Sequence, residues 1–190
     1  IGLYPINALS MSEKEIEEEL RFIEKNKDKI RMIGEIGIDL KESNDLEKQK
    51  EIFEKLIKLA TRLNMPIAVH SRNAEKECIE VLEKLRAKKV IMHCFSGGMK
   101  LVKKIVDNRW FLSIPSSVKY NEHFQRIVDI VPLENLFCET DSPYLHPNRE
   151  KNNEPMNVIE SYKKIAEIKG LELEEATIKI WENWDKLIKK

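Results

Sequence analysis

The sequence predicts an α/β protein of the TIM-like (β/α)8 barrel class, here incomplete, with about six of the eight strands that such a barrel needs. Three observations predict it. Short apolar runs alternate with longer amphipathic ones along the whole chain, the order that yields a parallel sheet with helical crossovers. The short runs, such as Ile67-Ala68-Val69 and Val90-Ile91-Met92, are continuously apolar, which marks strands buried on both faces. Four of them hold or lead into a side chain able to bind metal, namely Glu35, His70, His93 and Asp141. In a parallel barrel the C-terminal strand ends converge on one face, where active sites are built.

The elements follow in order. The opening Ile1-Gly2-Leu3-Tyr4-Pro5 reads as the tail of a strand entering a loop, with N-terminal sequence missing before it. Ser12-x-x-Glu15 is a capping box, and Met11 and Ile16 are placed for the accompanying staple. The helix behind it carries Ile16, Leu20 and Ile23 at helical spacing. A strand covers 32–38. Next comes an apolar stripe of Ile52, Phe53, Leu56, Ile57, Leu59, Ala60 and Leu63 with Lys and Glu opposite, a helix that Asn64-Met65-Pro66 stops. Strands are expected over 67–70, 90–94, 110–114 and 136–139, and helices over 74–85, 99–106 and 121–131. Two helices, 156–169 and 172–188, close the chain on either side of Gly170. No linker or repeat divides it, so residues 1–190 are expected to form one domain.

Composition sets bounds on function. The chain has 33 basic and 33 acidic residues and a formal net charge of zero. This argues against nucleic-acid affinity built on bulk charge and leaves room for a local basic groove. No apolar run reaches the roughly 18 residues of a membrane span, and the start is not signal-like. A cytoplasmic protein without membrane attachment or obligate protein partner is expected. Cys78, Cys94 and Cys138 are odd in number and lack C-x-x-C spacing, so they read as buried reduced thiols.

Two imidazoles and two carboxylates at strand ends point to a divalent-metal site of mixed nitrogen and oxygen ligands, and so to a hydrolase. Each residue has a plainer reading. Asp141 could cap a turn with Ser142; its match with three other strand ends favours metal ligation or proton acceptance. Glu35, between Gly34 and Gly37 in an apolar strand, must be paired, protonated or metal-bound, and the glycines leave room for metal or substrate. His70 and His93 could each be core residues, yet both stand in the same strand context. Arg72 suits bidentate phosphate contact and could equally form a salt bridge. Ser96, Gly97 and Gly98 precede a helix, and their amides could hold an anion. His146 could reach substrate or orient a ligand. His123 reads as exposed, and Trp181 and Trp184 as packing residues.

Four ordered motifs carry a resemblance: Gly34-Glu35-Ile36-Gly37-Ile38-Asp39; Met65-Pro66 leading to His70-Ser71-Arg72; His93-Cys94-Phe95-Ser96-Gly97; and Glu139-Thr140-Asp141-Ser142-Pro143-Tyr144-Leu145. Together they resemble the signatures of TatD-type metal-dependent deoxyribonucleases over nearly the whole chain. Gln49, Phe53, Ala74 and Asn153-Glu154-Pro155 also fit that pattern. The resemblance implies an amidohydrolase-like barrel with two divalent metals (Mg, Mn or Zn). Glu35 would bridge them, His70 and His93 would hold one, and Asp141 would hold the other and help activate water. Arg72, Ser96, Gly97 and His146 are the expected substrate-binding residues. The implied reaction is 3′-to-5′ exonucleolytic hydrolysis of DNA.

There are two departures. The family's first-strand His-x-His pair is absent from these 190 residues, which implies an active parent protein and an inactive piece. Tyr4 also stands before Pro5 where the family usually has His. The alternatives are a related barrel hydrolase acting on C–N bonds or phosphate monoesters, and a catalytically impaired barrel serving as a binding module.

Overall fold

The computed structural model describes residues 1–188, which divide into two compact units, Ile1–Gly97 and the chain from Gly98 onward. The first unit runs α1 (Pro5–Leu9), α2 (Glu13–Lys25), β1 (Ile33–Asp39), α3 (Leu46–Leu63), β2 (Ile67–Arg72), α4 (Glu75–Lys84) and β3 (Val90–Met92). All three strands are parallel, β1 beside β2 and β2 beside β3, in a register that sets Gly37 opposite His70 and Ile67 opposite Val90.

Local sequence explains these elements. The Ser12 hydroxyl accepts from the Glu15 N–H at 3.3 Å, and the Glu15 carboxylate accepts from the Ser12 N–H at 2.7 Å, so both halves of the capping box form. In α3, Asp45 caps the first turn and Asn64 ends the last in a left-handed conformation. The stripe Ile52, Phe53, Leu56, Ile57, Leu59 and Ala60 is buried, while Leu63 is half-buried. Burying each large side chain stabilises by roughly 1.5–3 kcal/mol. Exposed pairs such as Arg62–Glu24, at 2.9 Å, contribute about 1 kcal/mol or less. Core packing therefore decides the fold, and the surface charges tune it.

Two expectations at the N-terminus change. Pro5 starts a helix rather than a loop, since its fixed φ and missing N–H suit the first helical position. The stub before it is strand-like only at Ile1, whose carbonyl accepts from the Gly34 N–H at 2.9 Å and whose amino group donates to the Met32 carbonyl at 3.5 Å. Five strands, not six, are therefore present among the described residues. The space at Gly34 and Gly37 is also filled from another side than expected. A Cβ on Gly37, whose φ is +145°, would collide with the His70 carbonyl, and one on Gly34 would press on Ala68. These glycines let β1 lie tightly against β2, so they place His70 rather than make room for a ligand.

The second unit holds α5 (Met99–Asp107), β4 (Phe111–Ile114), a 3₁₀ turn at Ser116–Lys119, α6 (Glu122–Ile130), β5 (Leu136–Cys138), α7 (Val158–Lys169) and α8 (Leu173–Ile188). Strands β4 and β5 are parallel, with Leu112 opposite Leu136. Gly170, at φ +65°, separates α7 from α8 as expected. Buried Asn183 donates to the Leu133 and Leu136 carbonyls at 2.8 and 3.1 Å, tying α8 to the entry of β5. Trp184 packs edge-on to Phe137, whereas Trp181 is 65% exposed and is not the packing residue expected. His123 is half-buried rather than exposed and sits edge-on to the Phe124 ring. The three cysteines are reduced, and burial pushes the Cys78 thiol up. No described helix is long and apolar enough to cross a membrane.

Candidate metal centre

In the first unit three side chains converge. Glu35 lies where the β1–β2 register shifts, between Ile33 and Ile36, an irregularity of the kind that re-aims a side chain. His70 points from β2 and His93 follows the end of β3, where its N–H extends the ladder to the Val69 carbonyl at 3.0 Å. Glu35 Oε2 is 3.8 Å from His70 Nδ1, and Glu35 Oε1 is 3.5 Å from His93 Nε2. One donor atom from each residue lies within 4.8 Å of the other two. The two imidazoles are 14% and 13% exposed and Glu35 is 39% exposed, so the group is shielded yet reachable.

A residue without an assigned role completes the arrangement. Asp39 is fully buried and accepts from His70 Nε2 at 2.9 Å, from the Tyr4 hydroxyl at 3.1 Å, and from the Lys41 and Glu42 N–H groups at 2.9 and 3.0 Å. Burial opposes its charge, but His70, the Glu42 N–H and Tyr4 favour the carboxylate and hold its pKa below the ordinary value. An acceptor at Nε2 fixes the proton there, so the lone pair of His70 Nδ1 faces Glu35. Gln49 secures Asp39 in turn: its Oε1 accepts from the Asp39 N–H at 2.7 Å and its Nε2 donates to the Asp39 carbonyl at 3.2 Å. Tyr4 also sets its ring edge-on to His70 at 5.1 Å. Burial, followed by the Asp39 charge, pushes its phenol up to about 12.

The donor chemistry fits a divalent cation. Tetrahedral ligands about 2.1 Å from a metal stand about 3.4 Å from one another, close to the 3.5 and 3.8 Å separations from Glu35. Asp39→Asn keeps the shape and replaces one accepting oxygen by a donor, releasing the His70 tautomer. Affinity for Mn²⁺ or Zn²⁺ is expected to fall about 10- to 100-fold by isothermal titration. Unchanged affinity would show that His70 does not depend on Asp39.

The other expected residues lie as follows. Asp141 belongs to the second unit, in the loop after β5, half-buried with φ +60°. Arg72 ends β2, is 44% exposed, and pairs through Nη1 with Glu42 at 3.2 Å. The Ser96 hydroxyl donates to Glu75 at 2.6 Å. Gly97 fits against the Phe95 ring and Glu75, leaving no space for a Cβ. His146 Nδ1 accepts from the Asn148 and Glu150 N–H groups at 3.1 and 3.4 Å, so this ring organises its own loop.

The family model described as TatD related DNase matches residues 1–189. An uncharacterized metal-dependent hydrolase of Methanocaldococcus jannaschii is 37% identical over 190 residues, covering 100% of this chain and 75% of the relative. The deoxyribonuclease TATDN3 of Homo sapiens is 36% identical over 194 residues, covering 100% of this chain and 71% of its own length. Among solved structures, the TatD homologue YjjV of Escherichia coli K12 superposes with a TM-score of 0.91 at 23% identity, over 99% of this chain and 75% of that one. That likeness shows the fold, α/β of the TIM-like class expected from the sequence.

Proposed function

The chain belongs to the TatD related DNase family, and on that footing we propose that it is a divalent-metal-dependent hydrolase that cleaves DNA phosphodiester bonds, acting as a 3′-to-5′ exonuclease. The observation that carries the reading is the convergence of Glu35, His70 and His93 on one point with His70 oriented by Asp39. The name of the human relative, a deoxyribonuclease, supports DNA as substrate. The archaeal relative's name supports metal dependence. The proposal keeps the cytoplasmic location expected from the sequence.

Glu35, His70 Nδ1 and His93 Nε2 are the groups that would hold the cation. When bound, a divalent cation supplies Lewis-acid chemistry, polarising a phosphoryl oxygen and acidifying water. The chain's own residues do the rest. Asp39 keeps the His70 proton on Nε2, away from the ligand side. Glu35 brings the negative charge that a cation between two neutral imidazoles needs. Asp141 is proposed as the carboxylate that takes the proton of the attacking water, and Arg72 as a phosphate contact, a role suited to its fork of N–H donors.

Labelled single-stranded DNA, a phosphate monoester and a dihydropyrimidine-type amide, each offered with Mg²⁺, Mn²⁺ or Zn²⁺, test this reading. Expected is shortening of DNA from the 3′ end that stops on chelation. Metal-dependent turnover of the amide or the monoester with DNA untouched would replace the nuclease reading with that of a related barrel hydrolase.

A further inference from the structure

We propose that Asn153 is a positioning residue that holds the Asp141 loop in its working shape. The role rests on the assignment of Asp141 to the reaction. Asn153 is 5% exposed and comes from the Asn153-Glu154-Pro155 segment, for which the reaction gives no use.

Its side-chain amide and its backbone N–H are engaged, and most of these bonds face one loop. Its Nδ2 donates to the Thr140 carbonyl at 2.8 Å, the Tyr144 carbonyl at 2.7 Å and the Ser116 hydroxyl at 3.0 Å. Two N–H bonds are thus divided among three acceptors. Its backbone N–H donates to the Pro143 carbonyl at 2.9 Å. Fully buried Ser116 passes the contact on by donating to the Leu145 carbonyl at 3.1 Å. Four carbonyls on either side of Asp141, those of Thr140, Pro143, Tyr144 and Leu145, are therefore fixed by Asn153 directly or through Ser116.

The amide cannot serve the other way round. Its Oδ1 accepts from the Glu154 N–H and from Asn157 Nδ2, both at 2.9 Å. Flipping it would set donors against donors and an oxygen against carbonyls. The loop has need of such a hold. Asp141 and Leu145 have φ of +60° and +55°, a left-handed conformation that residues with a Cβ adopt at a cost. Conformations of this kind persist where the surroundings over-determine them. The Tyr144 N–H closes the turn on the Asp141 carbonyl at 2.8 Å.

The test compares Asn153→Asp, Ser116→Ala and Asp141→Asn with the unaltered protein. Asn153→Asp keeps the shape and the Oδ1 contacts but turns a carboxylate oxygen toward three acceptors. Two readouts are taken: hydrogen exchange of the peptide covering 140–146, and kcat and KM on DNA. Expected for Asn153→Asp is faster exchange confined to 140–146, with β1, β2 and β3 unchanged. A fall in kcat of about 100-fold with KM little altered should accompany it, as when a reacting group is displaced by about 1 Å. Ser116→Ala, which removes one link, should move both readouts the same way and less. Native exchange of 140–146 in Asn153→Asp overturns the proposal. So does native kcat in that variant when Asp141→Asn abolishes turnover. Should Asn153→Asp unfold as a whole, Ser116→Ala decides, and native exchange there overturns it. If Asp141→Asn retains full turnover, the assignment of Asp141 falls and takes this role with it, while the exchange data still report whether Asn153 holds the loop.

Discussion

Glu35→Gln is expected to lower metal-dependent DNA hydrolysis by well over the roughly 100-fold that loss of an outer partner costs a metal site. Gln keeps the length and the hydrogen-bonding oxygen but loses the charge. Two neutral imidazoles and an amide are a poor set for a hard divalent cation, which prefers carboxylate oxygen. Glu35 is 39% exposed at the point where the two histidines meet, so the change should leave the core intact. Turnover of labelled single-stranded DNA across a Mn²⁺ titration, beside a thermal melt, checks it. Loss of turnover that excess metal partly restores, with an unchanged melt, is the expected pattern. Native turnover at low metal would exclude Glu35 from the site.

Asp141→Asn is expected to lower kcat by about 10²- to 10⁴-fold, the range for removing a general acid–base group. Asn can accept a hydrogen bond but cannot take a proton near neutral pH. Substrate binding should be little altered, so the loss should appear in kcat rather than KM. Single-turnover kinetics on labelled DNA measure the two separately. A raised KM at native kcat would make Asp141 a binding residue instead.

Much of the centre was legible because the strands are simple. Glu35, His70 and His93 interrupt or end apolar runs, and the chemistry of a polar group inside a buried strand singles them out. Asp39 carries the same signal at the end of the first motif. It ends the run Ile36-Gly37-Ile38, and at two-residue periodicity it shares a strand face with Gly37 and Glu35. Counting that face would have found it. Gly37 was legible as a site of close approach, but what approaches is the His70 backbone of the neighbouring strand, and strand register is not written in a glycine. Buried amides were harder still. Gln49 reaches 10 residues back to Asp39 and Asn153 reaches 37 residues back to Ser116. No local period encodes such bonds. Pro5 could have announced α1, since proline opens helices as readily as it ends strands.

The central claim is that Glu35, His70 and His93 hold a divalent cation, and the most direct test is a crystal grown with Mn²⁺ and measured at the manganese absorption edge. The account predicts an anomalous peak about 2.0–2.3 Å from a Glu35 carboxylate oxygen, His70 Nδ1 and His93 Nε2, spacings typical of such ligands, with His70 Nε2 still on Asp39. A peak bound to other residues, or occupied crystals in which these three side chains carry no density between them, would contradict it.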